Sequence, residues 1–342
     1  MSAMRVLAAP DKFKGSISAR DVATAIGHAC WELGIDCVEI PMADGGDGLL
    51  DAFGGANRHS TVTGPIGDPV RAGWRFSGGT AVIEMAQASG LVVAGGSEHN
   101  RALDATTTGT GELIDHALDA GAKRIIVGLG GSATTDGGFG AIRAITAIAR
   151  LQQVELLVAC DVTTRFTDAA AVFGPQKGAS RAEIKLLERR LERLVQMFDE
   201  DFDADVRDVV GGGAAGGLGG ALAAVGGRLI PGVELVADEL GVFDLLDAEG
   251  AESVDLIVTG EGRLDATSFA GKVVGGMVEF GTDAGIPVAA VVGDADTDTL
   301  GTHLDHLDVA VLNELYGAEA SFGEPKRCIE QAVGDLLRSR QT

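Results

Sequence analysis

The sequence predicts an α/β fold built from two α/β domains. Apolar, strand-like runs alternate with helical segments, as in proteins with parallel sheets, and 342 residues suffice for two domains with a large buried core. The middle of the chain differs from its ends, because residues 61–77 resemble short strands and turns and residues 211–220 are nearly all Gly and Ala. We therefore expect a discontinuous, Rossmann-like domain at residues 1–62 and 240–342, with a second α/β domain, residues 63–239, inserted in it.

Strands and helices are expected in a regular order along the chain. The expected strands lie at residues 5–9, 38–41, 81–85, 124–127, 156–159, 254–259, 288–292 and 309–312. A helix over residues 18–33 follows the first strand. The clearest helix spans about residues 181–201, since Ser180 and Glu183 form a capping box ahead of leucines at the helical period. A last helix is expected to start near Pro325, because proline suits a first turn.

Composition narrows the range of partners and compartments. The net charge of -23 would repel nucleic acids and anionic membranes, so we expect a small-molecule substrate instead. No apolar run approaches the roughly 20 residues that cross a bilayer, and the N-terminus lacks the layout of a signal peptide. Four cysteines form no CxxC pair and no metal-like spacing, as expected for thiols in a reducing compartment. These features favour a cytoplasmic enzyme and leave its oligomeric state open, a homo-oligomer included.

Polar or glycine-rich loops follow four of the predicted strands. In open α/β sheets the carboxyl ends of the strands are where ligands bind. The four loops are residues 9–16, 41–48, 128–138 and 259–265. We expect the chemistry of this protein to reside in them.

Two of the glycine-rich segments are candidates for phosphate binding. Residues 128–133 match G-x-G-x-x-A and are followed by a predicted helix, and bare N–H groups at a helix N-terminus bind anions. Gly130, Gly131 and Ser132 are the predicted contacts, although such turns also occur for tight packing alone. The segment with Gly213 and Gly216 fits G-x-G-x-x-G, but the strand before it is poor, so packing and phosphate binding are equally expected there.

Carboxylates and lysines in these and other loops are candidates for catalysis. Asp44, Asp136, Asp161 and Glu261 lie in loops next to glycine or just past a predicted strand, where an aspartate is otherwise a common turn former. Phosphoryl transfer needs Mg²⁺, which prefers hard oxygen ligands, and a group that accepts the proton of the attacking hydroxyl. Three of the seven lysines lie in loops directly beside a glycine and suit neutralisation of phosphate or carboxylate, with a plain surface role as the alternative: Lys14, Lys177 and Lys272.

Several established catalytic motifs are missing from the sequence. It contains no GxxxxGK[ST] loop, no protein-kinase HRD or DFG element and no G-x-S-x-G nucleophile elbow. These absences disfavour P-loop enzymes, protein kinases and serine hydrolases of that type.

Taken together, the loops resemble those of the bacterial glycerate kinase family. The segments that carry the resemblance are residues 9–16, 41–48, 109–114, 130–138, 159–162, 172–179, 213–217 and 258–263, which follow the order of the family. The resemblance implies two α/β domains with the active site in the cleft between them. It further implies ATP and Mg²⁺ as cofactors, D-glycerate as acceptor and a phosphoglycerate, with a leaning to 2-phosphoglycerate, as product.

The resemblance also suggests a role for each candidate residue. ATP phosphates would lie against Gly130–Ser132 or the 211–217 segment, with Lys177 nearby and with Mg²⁺ held by Asp44 or Asp136. Lys14 and Arg263 would hold the acceptor carboxylate, where an arginine can form two parallel hydrogen bonds. Glu261 and Lys272 would complete the acceptor site. One of Asp44, Asp136 and Asp161 would accept the proton of the attacking hydroxyl. Lys14 would also take part in catalysis.

Two departures from the family pattern lie beside a substrate loop and concern the identity of the acceptor. Only residues 140–155 fill a stretch that is longer in family members, and residues 163–168 replace an Asn-Pro-Leu turn. A kinase for another small hydroxy acid is therefore an alternative. A nicotinamide-dependent oxidoreductase is a second one, although no acidic residue ends a strand about 20 residues beyond the 128–133 loop, as ribose binding would require. A binding module without turnover is the third.

Overall fold

The computed structural model describes residues 4–301 and 307–341. Its strands are β1 (Arg5–Ala8), β2 (Asp36–Glu39), β3 (Arg58–Thr63), β4 (Pro69–Ser77), β5 (Thr80–Glu84), β6 (Arg124–Gly128), β7 (Glu155–Ala159), β8 (Arg228–Ile230), β9 (Leu256–Leu264), β10 (Val288–Ala295) and β11 (Asp308–Val311). Its helices are α1 (Ala19–Glu32), α2 (Leu49–Ala52), α3 (Ala86–Ser89), α4 (Thr108–Asp119), α5 (Phe139–Ala144), α6 (Ile148–Leu151), α7 (Ala169–Phe173), α8 (Arg181–Phe202), α9 (Ala214–Ala224), α10 (Gly232–Glu239), α11 (Val242–Leu246), α12 (Val273–Ala284), α13 (Thr297–Leu300), α14 (Leu312–Tyr316), α15 (Ala318–Gly323) and α16 (Pro325–Gln341). The predicted α/β class is confirmed.

The chain divides into two compact units. Residues 1–44 and 233–342 form one, here called the terminal unit, and residues 45–232 form the other, the inserted unit. The boundaries expected from the sequence, after residues 62 and 239, differ from this division. The inserted unit begins at residue 45, earlier than expected. The reason is that β3 pairs with β4, which places residues 58–63 in the sheet of the inserted unit.

The terminal unit contains a five-stranded parallel sheet of order β11-β10-β9-β1-β2. From β1 the chain continues outward to β2, whereas from β9 it continues in the opposite direction to β10. The crevice at the carboxyl ends of β1 and β9 is therefore a topological switch point, where open α/β sheets bind ligands. Apolar residues of the strands and of α1 and α16 form the core below it, among them Val6, Ile26, Val258, Val291 and Ile329.

The inserted unit contains a six-stranded sheet of order β3-β4-β5-β6-β7-β8. β3, β4 and β5 pair antiparallel as two hairpins, and β5 to β8 pair parallel. The core includes Ile125, Val127, Phe166, Leu191 and Phe198, which join the sheet to the surrounding helices.

Most strands and the clearest helices lie where the sequence placed them. Each predicted strand begins within two residues of its counterpart. α8 begins with the predicted capping box, in which Ser180 accepts from the Glu183 N–H and Glu183 accepts from the Ser180 N–H. Burial of Leu187 and Leu191 fixes the face of α8 that packs inward, and α16 starts at Pro325 as expected.

The prediction that a loop begins after Thr259 is wrong. β9 continues to Leu264, because Gly260, Glu261 and Arg263 pair in register with β10. The glycines hid this strand in the sequence, yet they are required by it. A Cβ placed on Gly260 would lie 2.2 Å from the backbone oxygen of Val291, a contact that real Cβ atoms do not make.

Within the described residues, no helix is long and apolar enough to cross a membrane.

Candidate active site

A cavity of about 400 Å³ lies at the carboxyl ends of β6 and β7 in the inserted unit. Its size falls within the range of small-molecule sites. It brings together five residues that the sequence singled out from three separate segments: Gly130, Gly131, Ser132, Asp161 and Lys177. The grouping follows from the topology, since neighbouring parallel strands end at the same edge of the sheet.

The glycine loop offers backbone donors to this cavity. Within the described part of the chain, the N–H groups of Gly130 and Gly131 donate no hydrogen bond. Gly130 permits close packing of the loop, because a Cβ there would lie 2.4 Å from the Cα of Gly46. The expectation that this loop opens a helix is wrong, since α5 begins only at Phe139. Any anion binding here must therefore use loop N–H groups and side chains, without the dipole of a following helix.

Lys177 supplies the cation of the cavity. It is only 2% exposed, and its Nζ donates to the backbone oxygen of Thr134 at 2.6 Å. Burial lowers the pKa of Lys177 to about 7, and the nearby charge of Asp136 partly opposes this shift. The ammonium also lies 5.8 Å from the ring centroid of Phe173. A buried ammonium with N–H groups to spare suits a phosphate group, whose charge would offset the loss of hydration.

Gly213 and Gly216 flank the cavity without lining it. Ala214 and Ala215 between them contribute to its wall. A Cβ on Gly213 would lie 2.3 Å from the oxygen of Arg165, and Gly216 (φ +71°) would place one 2.0 Å from the oxygen of Thr134. The packing alternative for these glycines therefore gains support. Gly216 packs directly against the Thr134 carbonyl, to which Lys177 donates.

Asp161 is the carboxylate that lines the same cavity. It follows β7 and is exposed, and its Oδ1 accepts from the Gly232 N–H at 2.9 Å. Fixed in this way beside the glycine loop and Lys177, it is the acidic group best placed to meet a cation that accompanies bound phosphates.

Asp136 has different surroundings from those expected of a metal ligand. Its Oδ2 accepts from the Thr107 N–H at 2.8 Å, the Thr107 hydroxyl at 2.9 Å and the Gly140 N–H at 3.2 Å, and its Oδ1 accepts from the Gly138 N–H at 3.2 Å. Burial raises its pKa, and the bonds from Thr107 oppose the shift. The carboxylate thus ties the start of α5 to the start of α4. Such saturation favours a structural role for Asp136 and leaves little room for a metal ion.

A second group of predicted residues lies at the switch point of the terminal unit. Glu261 is on β9, and the loop after β1 runs alongside it, with the Asp11 N–H donating to the oxygen of Gly260 at 2.8 Å. Gly262 allows this approach, since a Cβ there would lie 3.2 Å from the backbone nitrogen of Lys14. The fold therefore places the backbone of Lys14 next to Gly262.

The charged side chains of this group differ in exposure. Lys14 lines a cavity of about 320 Å³ together with Gly262 and Phe322. Arg263 is well exposed and forms an ion pair with Asp296 at 3.7 Å. Lys272 donates to the Thr267 hydroxyl at 2.6 Å. These cations are accessible enough to bind a small carboxylate.

Glu261 is the buried member of the group. It is 7% exposed, and its Oε1 has no hydrogen-bond partner within the described residues. Burial raises the pKa of Glu261 to about 7. A hydrogen bond from Ser268 and the charge of Lys272 oppose this shift, while Asp11 and Asp265 add to it.

Asp44, the remaining predicted residue, is partly buried in the loop after β2, where the Met42 N–H donates to the oxygen of Pro10 at 2.9 Å.

Sequence reasoning did not single out several residues that shape these sites. Ser268 hydrogen-bonds to Glu261 from a short 3₁₀ turn, and no sequence pattern connects the two. Cys160 lines the first cavity beside Asp161. Gly45 also lines it, with a φ of +86° and a Cβ position only 2.6 Å from that of Ala159. The glycine-rich context of residues 44–48 was the available signal for Gly45.

Comparison with known proteins finds matches over nearly the whole chain. The model of the glycerate kinase family matches residues 6–149 and 145–340, two segments that meet inside the short stretch noted in the sequence. Glycerate 2-kinase of Escherichia coli (strain K12) is 39% identical over 376 aligned positions, covering 98% of this chain and 96% of the relative. Glycerate kinase of Bacillus subtilis (strain 168) is 37% identical, covering 98% and 97%.

A solved structure gives the same result. The crystal structure of a Salmonella typhimurium LT2 protein, provisionally named glycerate kinase 2, superposes with a TM-score of 0.83 at 36% identity and covers 99% of both chains. Fold and sequence thus define a small-molecule kinase. The chain belongs to the glycerate kinase family.

Proposed function

We propose that this enzyme transfers the γ-phosphoryl group of ATP to D-glycerate and forms 2-phosphoglycerate, with Mg²⁺ as the metal. The observation that carries the proposal is the cavity of the inserted unit, where the buried ammonium of Lys177 and backbone N–H groups without a partner among the described residues converge at the ends of two parallel strands. The names of the relatives supply the acceptor, and the name of the Escherichia coli relative supplies the 2-position.

The cavity suits the phosphates of a nucleotide. Gly130 and Gly131 would donate backbone hydrogen bonds to phosphate oxygens, and Lys177 would neutralise the charge that builds up on the transferring group. In phosphoryl transfer, positioning and electrostatic stabilisation supply nearly all of the catalysis. These groups are of the kind that such a reaction needs.

Mg²⁺ fits this cavity as a companion of the phosphates. The described residues contain no group of three or more His, Cys, Asp or Glu side chains that could hold a metal ion alone. Mg²⁺ does not require one, because it usually binds one or two carboxylates together with substrate phosphates. Asp161 would hold it here, and when bound the ion would neutralise phosphate charge. The saturated carboxylate of Asp136 makes that residue the poorer choice.

The switch point of the terminal unit suits the acceptor. Lys14 lines a small cavity of this unit, and Arg263 and Lys272 are two further accessible cations of the same unit, which suits the carboxylate of a short hydroxy acid. We assign the acceptor to this site and the nucleotide phosphates to the inserted unit. The family match favours this reaction over the nicotinamide-dependent alternative.

The proposal is tested by ADP release from Mg-ATP, coupled to a spectrophotometric readout, with a panel of acceptors. D-glycerate should support turnover, whereas L-glycerate, glycolate and lactate should support little or none. Turnover with a different hydroxy acid would keep the mechanism and replace the acceptor. A folded enzyme that releases no ADP with any acid, with or without added Mg²⁺, would contradict the proposal.

Matched variants assign the sites within the same assay. Lys177→Met should impair use of ATP, whereas Lys185→Met, which removes an exposed lysine from α8, should leave turnover unchanged. Equal activity of the two variants would refute the assignment of the phosphates to this cavity.

A further inference from the structure

Glu261 lies where the sheet of the terminal unit is built to bind a ligand. It is near the carboxyl end of β9, opposite Val292 of β10, and the loop after β1 runs beside Gly260 at the switch point of the strand order. Glycines on both sides leave bare backbone next to its side chain. The Lys272 ammonium, one of the cations assigned to the acceptor, lies close enough to Glu261 to act on its charge.

The carboxyl of Glu261 differs from its acidic neighbours in having an unpaired oxygen. Oε1 is buried and has no hydrogen-bond partner in the described part of the chain, although buried polar atoms are nearly always paired. The terminal torsion of a glutamate is soft, so rotation can exchange the two oxygens. An incoming hydroxyl group could therefore supply the missing hydrogen bond.

The two neighbouring aspartates are already engaged. Asp265 accepts from the Thr267 N–H at 2.8 Å and from the Thr267 hydroxyl at 2.5 Å, and it caps a 3₁₀ turn. These bonds lower its pKa, which weakens it as a base. Asp11 accepts from the Lys12 N–H at 2.7 Å and pairs with the Lys12 ammonium at 3.7 Å. Of the three acids, Glu261 alone combines burial with an unpaired oxygen.

We propose that Glu261 is the general base of the reaction, an inference that rests on the proposed function. Its carboxylate takes the proton from the acceptor hydroxyl as the hydroxyl oxygen forms a bond to the γ-phosphorus of ATP. The bond from that phosphorus to the β,γ-bridging oxygen breaks, and ADP leaves with the electron pair. The proton passes from Glu261 to solvent after product release.

The surroundings of Glu261 are consistent with this role. A base works best when its pKa lies near the working pH, and burial places that of Glu261 at about 7. The charged groups around the carboxyl are Asp11 on the loop after β1, Asp265 beyond the end of β9 and Lys272 before α12, with the hydroxyl of Ser268 bonded to it. The first two raise its pKa and the last two lower it.

The test is the pH profile of kcat/KM for D-glycerate in wild type and four variants. Wild type should lose activity as the pH falls through about 7, because the base must be unprotonated. Glu261→Gln should lower kcat by about 100-fold or more, with ATP affinity retained and with the acidic limb gone. Glu261→Asp should keep part of the activity.

Two further variants separate catalysis from structure. Asp265→Asn keeps a good capping residue and removes a charge that raises the pKa of Glu261, so it should stay active and shift the acidic limb to lower pH. Ser268→Ala removes a hydrogen bond to the carboxylate and should shift the limb to higher pH. If Glu261 had a purely structural role, the acidic limb of the pH profile would stay in place in both Asp265→Asn and Ser268→Ala.

Each outcome decides one claim. The proposal would be overturned if kcat of Glu261→Gln were within threefold of wild type, or if the acidic limb of the pH profile stayed in place in both Asp265→Asn and Ser268→Ala. Turnover by the wild type would in that case still support the proposed kinase function. If Glu261→Gln does not fold by circular dichroism, the two limb shifts decide. A wild type without acceptor-dependent turnover would instead contradict the proposed function itself.

Discussion

The variant Lys177→Met tests whether Lys177 binds the phosphates of ATP, because the buried lysine must take up a proton when they bind. In the free protein, burial lowers the pKa of Lys177 from 10.5 to about 7, so at pH 8 only about a tenth of the molecules carry the charge. A bound phosphate stabilises the charged form and returns the pKa toward its usual range. Binding of ATP at pH 8 should therefore take up close to one proton per site.

The magnitude follows from the same shift. The change from 10.5 to about 7 corresponds to roughly 5 kcal/mol of disfavoured charge in the empty cavity. Since the folded-state pKa lies below the unfolded value, this cost is fully present below about pH 7 and fades as the pH rises toward 10.5. Lys177→Met removes the cost of burying this charge, so at pH 6 the variant should have a higher free energy of unfolding than wild type. The loss of the hydrogen bond to Thr134 reduces this gain. That relative gain should shrink by pH 9.

Calorimetry measures the proton directly. Titrations of ATP at pH 8 in buffers of different ionisation enthalpy give the number of protons taken up, which should be close to one in wild type and close to zero in Lys177→Met. The variant should also lose about 100-fold or more in kcat/KM for ATP, as when a donor to a developing anion is removed. Equal proton uptake in the two proteins would refute the assignment of Lys177 to the phosphates.

Three further predictions address other parts of the structure. Asp136→Asn should lower the free energy of unfolding by about 2 kcal/mol or more, because it weakens a partly buried set of four hydrogen bonds. The Mg²⁺ concentration for half-maximal activity should not change, and a large increase would instead indicate a metal ligand. Gly260→Ala should lower the melting temperature strongly, because its Cβ would clash with the oxygen of Val291, whereas Gly323→Ala, which has open space, should not. Arg263→Met should raise KM for D-glycerate with little change in KM for ATP, and the opposite pattern would move the acceptor from the terminal unit.

The strand ends were predictable because apolar periodicity and parallel topology both act locally. The rule that ligands bind at the carboxyl ends of strands was enough to single out Gly130, Ser132 and Asp161 one by one, and the fold places them in one cavity. Lys177 joined them through the scarcity of lysine and its glycine-rich context. The capping box of α8 was readable because both of its members lie within one turn.

Other features depend on contacts between distant residues. The role of Asp136 rests on Thr107, which lies 29 positions earlier, and no local pattern announces that pairing. The extension of β9 was hidden because its glycines resemble a loop, whereas close approach to β10 requires them. The burial of Glu261 and its bond from Ser268 likewise emerge only from the folded chain.

Transfer of labelled phosphate is the most direct test of the account. The wild-type enzyme is incubated with Mg²⁺, D-glycerate and ATP that is labelled in the γ-phosphoryl group, and the product is identified by chromatography and phosphorus NMR. The account predicts label in 2-phosphoglycerate, formed in step with ADP. Label that appears only in inorganic phosphate, or in no product at all, would contradict it.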